Sequence, residues 1–244
     1  MKGRFVVVDG LDGVGKGEFL KTFVEEAKKA GKRVFDVHEF WAKNHFHPDP
    51  KDIIGRFDVV ITSEPTFVGI GHIIRTELIS KNNRSYSPEA VAQAYGLDRH
   101  ILAENLTIPL LEAGIDIYQS RSFATSIAFQ RQTALDQGKN FSIQEILAIP
   151  GNAFCYYQNP MDFLIIPTIK DVAEVMKRLQ EREKDDNCEF ENLLFQVKIK
   201  AQYESEEFNK VFTDKGIKII TMDAGVSLEH SREQAREFYN AYLK

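Results

Sequence analysis

The sequence predicts an α/β fold, a mainly parallel sheet with helices on both faces. Two observations carry this. Short apolar runs alternate with longer stretches whose apolar residues recur at helical spacing, the order expected of strand–helix–strand units. The first such run, Phe5-Val6-Val7-Val8, leads through Asp9 into Gly10-Leu11-Asp12-Gly13-Val14-Gly15-Lys16. That stretch matches the first seven positions of the phosphate-binding pattern GxxxxGK[ST].

The chemistry explains the residue types. Glycines let the backbone bend tightly and bring its N–H groups up to phosphate oxygens. Phe19, Leu20, Phe23, Val24 and Ala27 then mark an amphipathic helix whose N-terminus turns positive dipole toward a bound anion. Lys16 would reach the terminal phosphates. Gly10, Asp12, Gly13, Val14, Gly15, Lys16, Gly17 and Glu18 are therefore the expected nucleotide-binding residues. Gly17 stands where the pattern wants the Ser or Thr that holds magnesium.

Bulk properties bound the rest. The 244 residues are 43 % apolar and carry a net charge of −5. They suit one domain over 1–244 with a sizeable core, and argue against a general nucleic-acid or anionic-membrane binder. Two cysteines, Cys155 and Cys188, point to a reducing, cytoplasmic setting without a disulfide framework. No apolar stretch approaches the roughly 18 residues of a membrane span, and Met1-Lys2-Gly3-Arg4 runs straight into a strand, so neither a span nor a signal peptide is expected.

Further strands are expected over Arg33–Glu39, Phe57–Thr62, Ile115–Gln119, Asp162–Pro167 and Gly216–Asp223. Residues 41–56, with Pro48 and Pro50, read as irregular; His45 and His47 there lack a third ligand and read as loop rather than a metal site. Helices are expected over Gly71–Ser80, from a Ser87 cap to Gly114 with a kink near Pro109, from a Ser142–Glu145 capping box, over Lys170–Glu183 and Asn192–Phe212, and after Ser227. Tyr95 and Arg99 share a helix face, being four apart. Ser63-Glu64-Pro65-Thr66 and Ser120-Arg121-Ser122 fall at carboxyl ends of strands, where open α/β sheets place their ligands.

In order and spacing these pieces resemble the thymidylate kinase family of P-loop nucleoside monophosphate kinases. Thr62-Ser63-Glu64-Pro65 resembles its Thr-Arg-Glu-Pro, and Gly71 to Leu78 its Gly-x-x-Ile-Arg helix. Tyr95 to Arg99 resembles its Phe-x-x-x-Arg. Ser120-Arg121-Ser122, Thr125-Ser126 and Phe129-Gln130 resemble its Asp-Arg-Tyr, Ser-Ser and Tyr-Gln. Residues 181–191 resemble its arginine-bearing lid, and 41–56 look like an insertion.

The resemblance implies a three-layer P-loop NTPase fold with a lid segment. It implies transfer of the γ-phosphoryl of Mg-ATP to dTMP, giving dTDP and ADP, in nucleotide biosynthesis. It also implies a homodimer with small-molecule substrates only. Lys16 and Arg121 would neutralise the moving charge. Asp12 would contact the sugar 3′-hydroxyl or the phosphate-orienting arginine. Arg182, with Arg178 or Lys184, would be the catalytic arginine of the lid, since Gly13 leaves the phosphate-binding loop without one. Arg75 would hold the acceptor phosphate, Tyr95 would stack on the base and Arg99 would bond its edge. Ser126 and Gln130 would line the base pocket, with Phe129 pressed on the sugar.

Four positions depart from the family pattern. Gly17 and Ser120 replace the groups on the magnesium side, Ser63 replaces an arginine, and Ser122 replaces an aromatic. Asp9 and Glu64 are the carboxylates expected to take over the metal through water. The alternatives are a weakly active or inactive nucleotide-binding homologue, or a kinase for another nucleoside monophosphate.

Overall fold

The apolar run Phe5–Val8 (β1) is buried along its whole length, as a central parallel strand covered on both faces must be. The computed structural model describes residues 1–180 and 192–244. The expected lid, with Arg182, Lys184 and Cys188, lies outside them.

The other strands are β2 (Val34–Asp36), β3 (Val59–Ser63), β4 (Asp116–Ser120), β5 (Phe163–Thr168) and β6 (Lys218–Asp223). All pairings are parallel, in the order β2-β3-β4-β1-β5-β6. The helices are α1 (Lys16–Lys29), α2 (Val37–Asn44), α3 (Gly69–Ile73), α4 (Pro88–Leu102), α5 (Ile108–Glu112), α6 (Phe123–Thr125) and α7 (Arg131–Asp136), then α8 (Ile143–Ala148), α9 (Pro150–Ala153), α10 (Val172–Gln180), α11 (Leu193–Glu204), α12 (Glu206–Thr213) and α13 (Leu228–Tyr242). One core cluster takes in the inner strands, Phe19 and Phe23 of α1, Phe208 and Phe212 of α12, and Phe238 of α13.

Four expectations change. The strand over Arg33–Glu39 stops at Asp36, because that carboxylate caps α2 by accepting the His38 backbone N–H at 2.9 Å. The 41–56 segment is not merely irregular: α2 runs to Asn44, and Trp41 and Ile53 sit in the core at 1 % exposure. The helix after Ser87 is interrupted by a π-helical turn, Ala103–Thr107, directly ahead of Pro109. Proline has no N–H for the preceding turn, and the wider turn absorbs the mismatch. The helix over Asn192–Phe212 is two helices, because Ser205 caps α12 by accepting the Phe208 N–H.

Two glycines on neighbouring helices allow one close crossing. A Cβ on Gly151 would lie 1.8 Å from the Gly96 carbonyl oxygen, and one on Gly96 would lie 2.5 Å from Ile149 Cγ2. α4 and α9 therefore meet backbone to backbone, which carries Asn152 to Arg99.

Candidate active site

The site forms where β1, β3 and β4 end together. Val8 and Ser63 are both register partners of Ser120, so Asp9, Glu64 and Arg121 leave the sheet side by side. The Gly10–Lys16 loop rises from β1. Gly15, at φ 102°, opens α1 without any side-chain cap, leaving first-turn N–H groups for an anion. Lys16 folds back over the loop, its Nζ 3.1 Å from the Gly10 oxygen and 2.5 Å from the Leu11 oxygen.

Arg121 is the centre of the constellation. It takes a left-handed backbone, φ 67°, at the end of β4. Its Nη2 donates to Asp12 Oδ1, its Nη1 donates to Thr125 Oγ1 at 3.2 Å, and its guanidinium lies 5.3 Å from the centre of the Phe129 ring. Burial alone would lower its pKa, but Asp12 and Asp9 more than offset that and hold it above the ordinary arginine value. Lys16, Asp12, Arg121 and Phe129 are thus brought together. Gln196 of α11, not anticipated, accepts the Asp12 backbone N–H at 3.2 Å.

Gly13 has a steric reason to be glycine. Its φ is 78°, and a Cβ there would sit 2.7 Å from Leu179 Cγ and 3.0 Å from the Val175 carbonyl oxygen of α10. No side chain, basic or otherwise, fits at this point of the loop. Gly13→Ala is expected to destabilise the fold by about 1–3 kcal/mol and to weaken ATP binding. Urea unfolding and a nucleotide titration read both effects.

The metal expectation finds no support in the geometry. Asp9 is fully buried and saturated. It accepts from the Gly10, Ser122 and Thr125 backbone N–H groups, the Ser122 and Thr125 hydroxyls, and Tyr203 Oη at 2.8 Å. That makes Asp9 the post to which α6 and α11 are tied. Glu64 is equally committed, to Arg99 Nε at 2.7 Å and Gln119 Nε2 at 3.0 Å. Burial pushes its carboxyl up to about 7 against the pull of Arg99. Among the described residues no cluster of His, Cys, Asp or Glu could hold a metal. A Cβ on Gly17 would meet nothing, so packing does not forbid a hydroxyl there. These residues do not fit a protein-held magnesium ion, and Glu18 turns instead to Arg232 of α13 at 3.1 Å.

On the acceptor side, Arg75 donates through Nε to the Pro65 and Thr66 carbonyls at 3.1 Å and stacks 3.8 Å over Phe67. Tyr95 packs with Ile74 and Val91 in a small separate apolar cluster. Arg99 also donates to Asn152 Oδ1, a partner no motif announces. The π-helical turn Ser126–Gln130 packs against α4, the helix of Tyr95 and Arg99. Ser126 Oγ and both amide atoms of Gln130 are buried and have no hydrogen-bond partner among the described residues, whereas Arg99 Nη2 lies 2.7 Å from Glu64 Oε2.

On the donor side, a cavity of about 310 Å³ lies beside the loop, lined by Gly13, Phe19, Arg178, Ala224 and Leu228 among others. Both terminal nitrogens of Arg178 donate to the Ala224 oxygen at 3.0 Å. Arg178 therefore forms a wall of this cavity.

A six-stranded parallel sheet with a phosphate-binding loop after its central strand β1, and Arg121 at the end of the adjacent strand β4, makes this a P-loop NTPase fold. The family model for thymidylate kinase matches residues 53–235, and the chain belongs to that family. It is 24 % identical to the thymidylate kinase of Exiguobacterium sp., over 98 % of this chain and 94 % of the relative. It is 28 % identical to the probable thymidylate kinase of Pyrococcus abyssi, over 83 % and 82 %. The fold matches that of thymidylate kinase from Candida albicans with a TM-score of 0.63 at 17 % identity, covering 98 % and 92 %.

Proposed function

We propose that this chain is a dTMP kinase that moves the γ-phosphoryl group of ATP to the 5′-phosphate of dTMP. The observation that carries the acceptor assignment is the set of buried, unpartnered polar atoms on Ser126 and Gln130, beside the guanidinium of Arg99. A buried polar atom without a partner costs about 1–3 kcal/mol, and a ligand that supplies the partner recovers it. The edge of thymine offers acceptor, donor, acceptor in sequence. Arg99 donates to a ring carbonyl, and the Gln130 amide both accepts the ring N–H and donates to a carbonyl.

In the reaction an acceptor phosphate oxygen bonds to the γ-phosphorus while the bridge to the β-phosphate breaks and ADP leaves. Lys16, the first turn of α1 and Arg121 hold the anions in line and neutralise them. The nucleoside end of ATP occupies the cavity beside Gly13 and Arg178. A divalent ion, in this reading, arrives on the nucleotide's own phosphates. Homodimeric assembly and a cytoplasmic location belong to the same proposal, supported by the resemblance alone.

A second reading, a nucleotide-binding homologue with little turnover, is favoured by the saturation of Asp9 and Glu64. Equilibrium titration tests the acceptor site independently of turnover. dTMP is expected to bind at least about tenfold more tightly than dCMP, and Gln130→Leu to remove most of that difference. Equal affinities in the unaltered protein would sink the base-pocket assignment.

A further inference from the structure

The segment after β2 builds a hydrogen-bonded chain that no motif predicts. His38 Nδ1 lies 2.7 Å from Asp36 Oδ1, and His38 Nε2 lies 2.8 Å from Ser63 Oγ. The imidazole is wedged edge-on against Trp41, at 5.4 Å between ring centres, and against Phe67, at 5.7 Å. Ser63 is buried, and it occupies a telling place. It ends β3 and is the register partner of Ser120, the residue before Arg121. It also opens into the turn whose Pro65 and Thr66 carbonyls hold Arg75. The Phe67 ring that braces His38 is the ring on which Arg75 stacks. Ser63 is thus in register with the residue before Arg121 and two positions before the first carbonyl that holds Arg75.

We propose that Asp36, His38 and Ser63 position the 5′-phosphate of the acceptor nucleotide. The Ser63 hydroxyl donates to a phosphate oxygen. His38 bridges Asp36 and Ser63, its Nδ1 against Asp36 Oδ1 and its Nε2 against Ser63 Oγ. His38 and Asp36 are positioning residues that act through Ser63 by fixing its hydroxyl. The proposal rests on the acceptor reading above. It also gives the segment around α2 a role, since Trp41 and Phe67 link Ser63 to Arg75. The charged and titratable groups facing His38 are Asp36 at the end of β2, Arg75 across Phe67, and His47 behind Trp41; Lys28 of α1 acts on Asp36.

The test is initial-rate kinetics with dTMP varied at saturating Mg-ATP, and the converse, with thermal unfolding alongside. Ser63→Ala and His38→Ala are expected to raise the acceptor KM about tenfold, with kcat within about threefold and the ATP KM within about twofold. Ser63→Thr and His38→Gln keep a hydroxyl and a donor and should restore the acceptor KM. The double alanine variant should be no worse than either single one, because the chain acts as a unit. An unchanged acceptor KM in Ser63→Ala overturns the proposal. So does a parallel rise in both KM values with a fall in melting temperature, which would mark the cluster as scaffold. Failure of the acceptor reading itself looks different: the unaltered protein would then neither bind nor phosphorylate dTMP.

Discussion

Arg121→Ala lowers kcat/KM for phosphoryl transfer by about 10²- to 10³-fold, a loss of about 3–4 kcal/mol. The reason is placement as much as charge. The guanidinium is fixed by Asp12, by Thr125 and by the face of Phe129, so it meets the migrating charge with little reorganisation. Arg121→Lys keeps the charge and loses the fork, and should recover only a small part of the rate. The left-handed backbone at Arg121 costs the fold about 1–2 kcal/mol, which a glycine would not incur. Arg121→Gly should therefore be more stable than Arg121→Ala by about 1–2 kcal/mol, although both lose the ion pair with Asp12, while remaining as inactive as the alanine variant. Kinetics paired with urea unfolding read both halves. Retention of rate within about fivefold in the alanine variant contradicts the role given to Arg121.

Arg99→Met costs about 3–5 kcal/mol of stability, because it strands the buried Glu64 carboxylate. Its pH dependence identifies the cause. Burial raises the Glu64 carboxyl to about 7 in the folded state, above its ordinary value of 4.5. Between those values the folded chain holds a proton that the unfolded chain has released, so this group's contribution to stability falls as pH rises through the window. Without Arg99 the folded value climbs further and the loss extends to higher pH. The deficit of Arg99→Met should be smallest near pH 5 and largest near pH 8, and Glu64→Gln in the same background should remove the difference. A deficit that is the same at both pH values would mean that lost packing, not a stranded charge, is responsible.

The parallel sheet and the phosphate-binding loop were legible because their signals are local. A run such as Phe5–Val8 can only be a strand buried on both faces, and the loop pattern fixes its own turn. The same locality made the Ser87, Ser142 and Ser227 caps readable. What escaped was set by contacts between distant residues. Asp9 looked like a carboxylate available to a metal, yet its oxygens are consumed by Ser122, Thr125 and Tyr203, the last 194 positions away. Glu64 reads the same way from the sequence, but it is buried against Arg99 of α4, 35 positions away. Residues 41–56 read as an irregular insertion because of Pro48 and Pro50, while Trp41 and Ile53 show that the segment belongs to the core. The chain from Asp36 through His38 to Ser63 has no sequence signal, since its His38–Ser63 link joins residues 25 positions apart.

Formation of dTDP from dTMP and ATP, followed by a coupled ADP-release assay and by direct separation of the nucleotides, tests the central claim most directly. dUMP, dCMP, dGMP and AMP are run beside dTMP. The arrangement of Lys16, Arg121, Arg99 and Gln130 predicts turnover that is fastest with dTMP and nearly abolished by Arg121→Ala. Tight binding of dTMP and ATP with no dTDP formed at any magnesium concentration would contradict it, and would leave a nucleotide-binding homologue in place of a kinase.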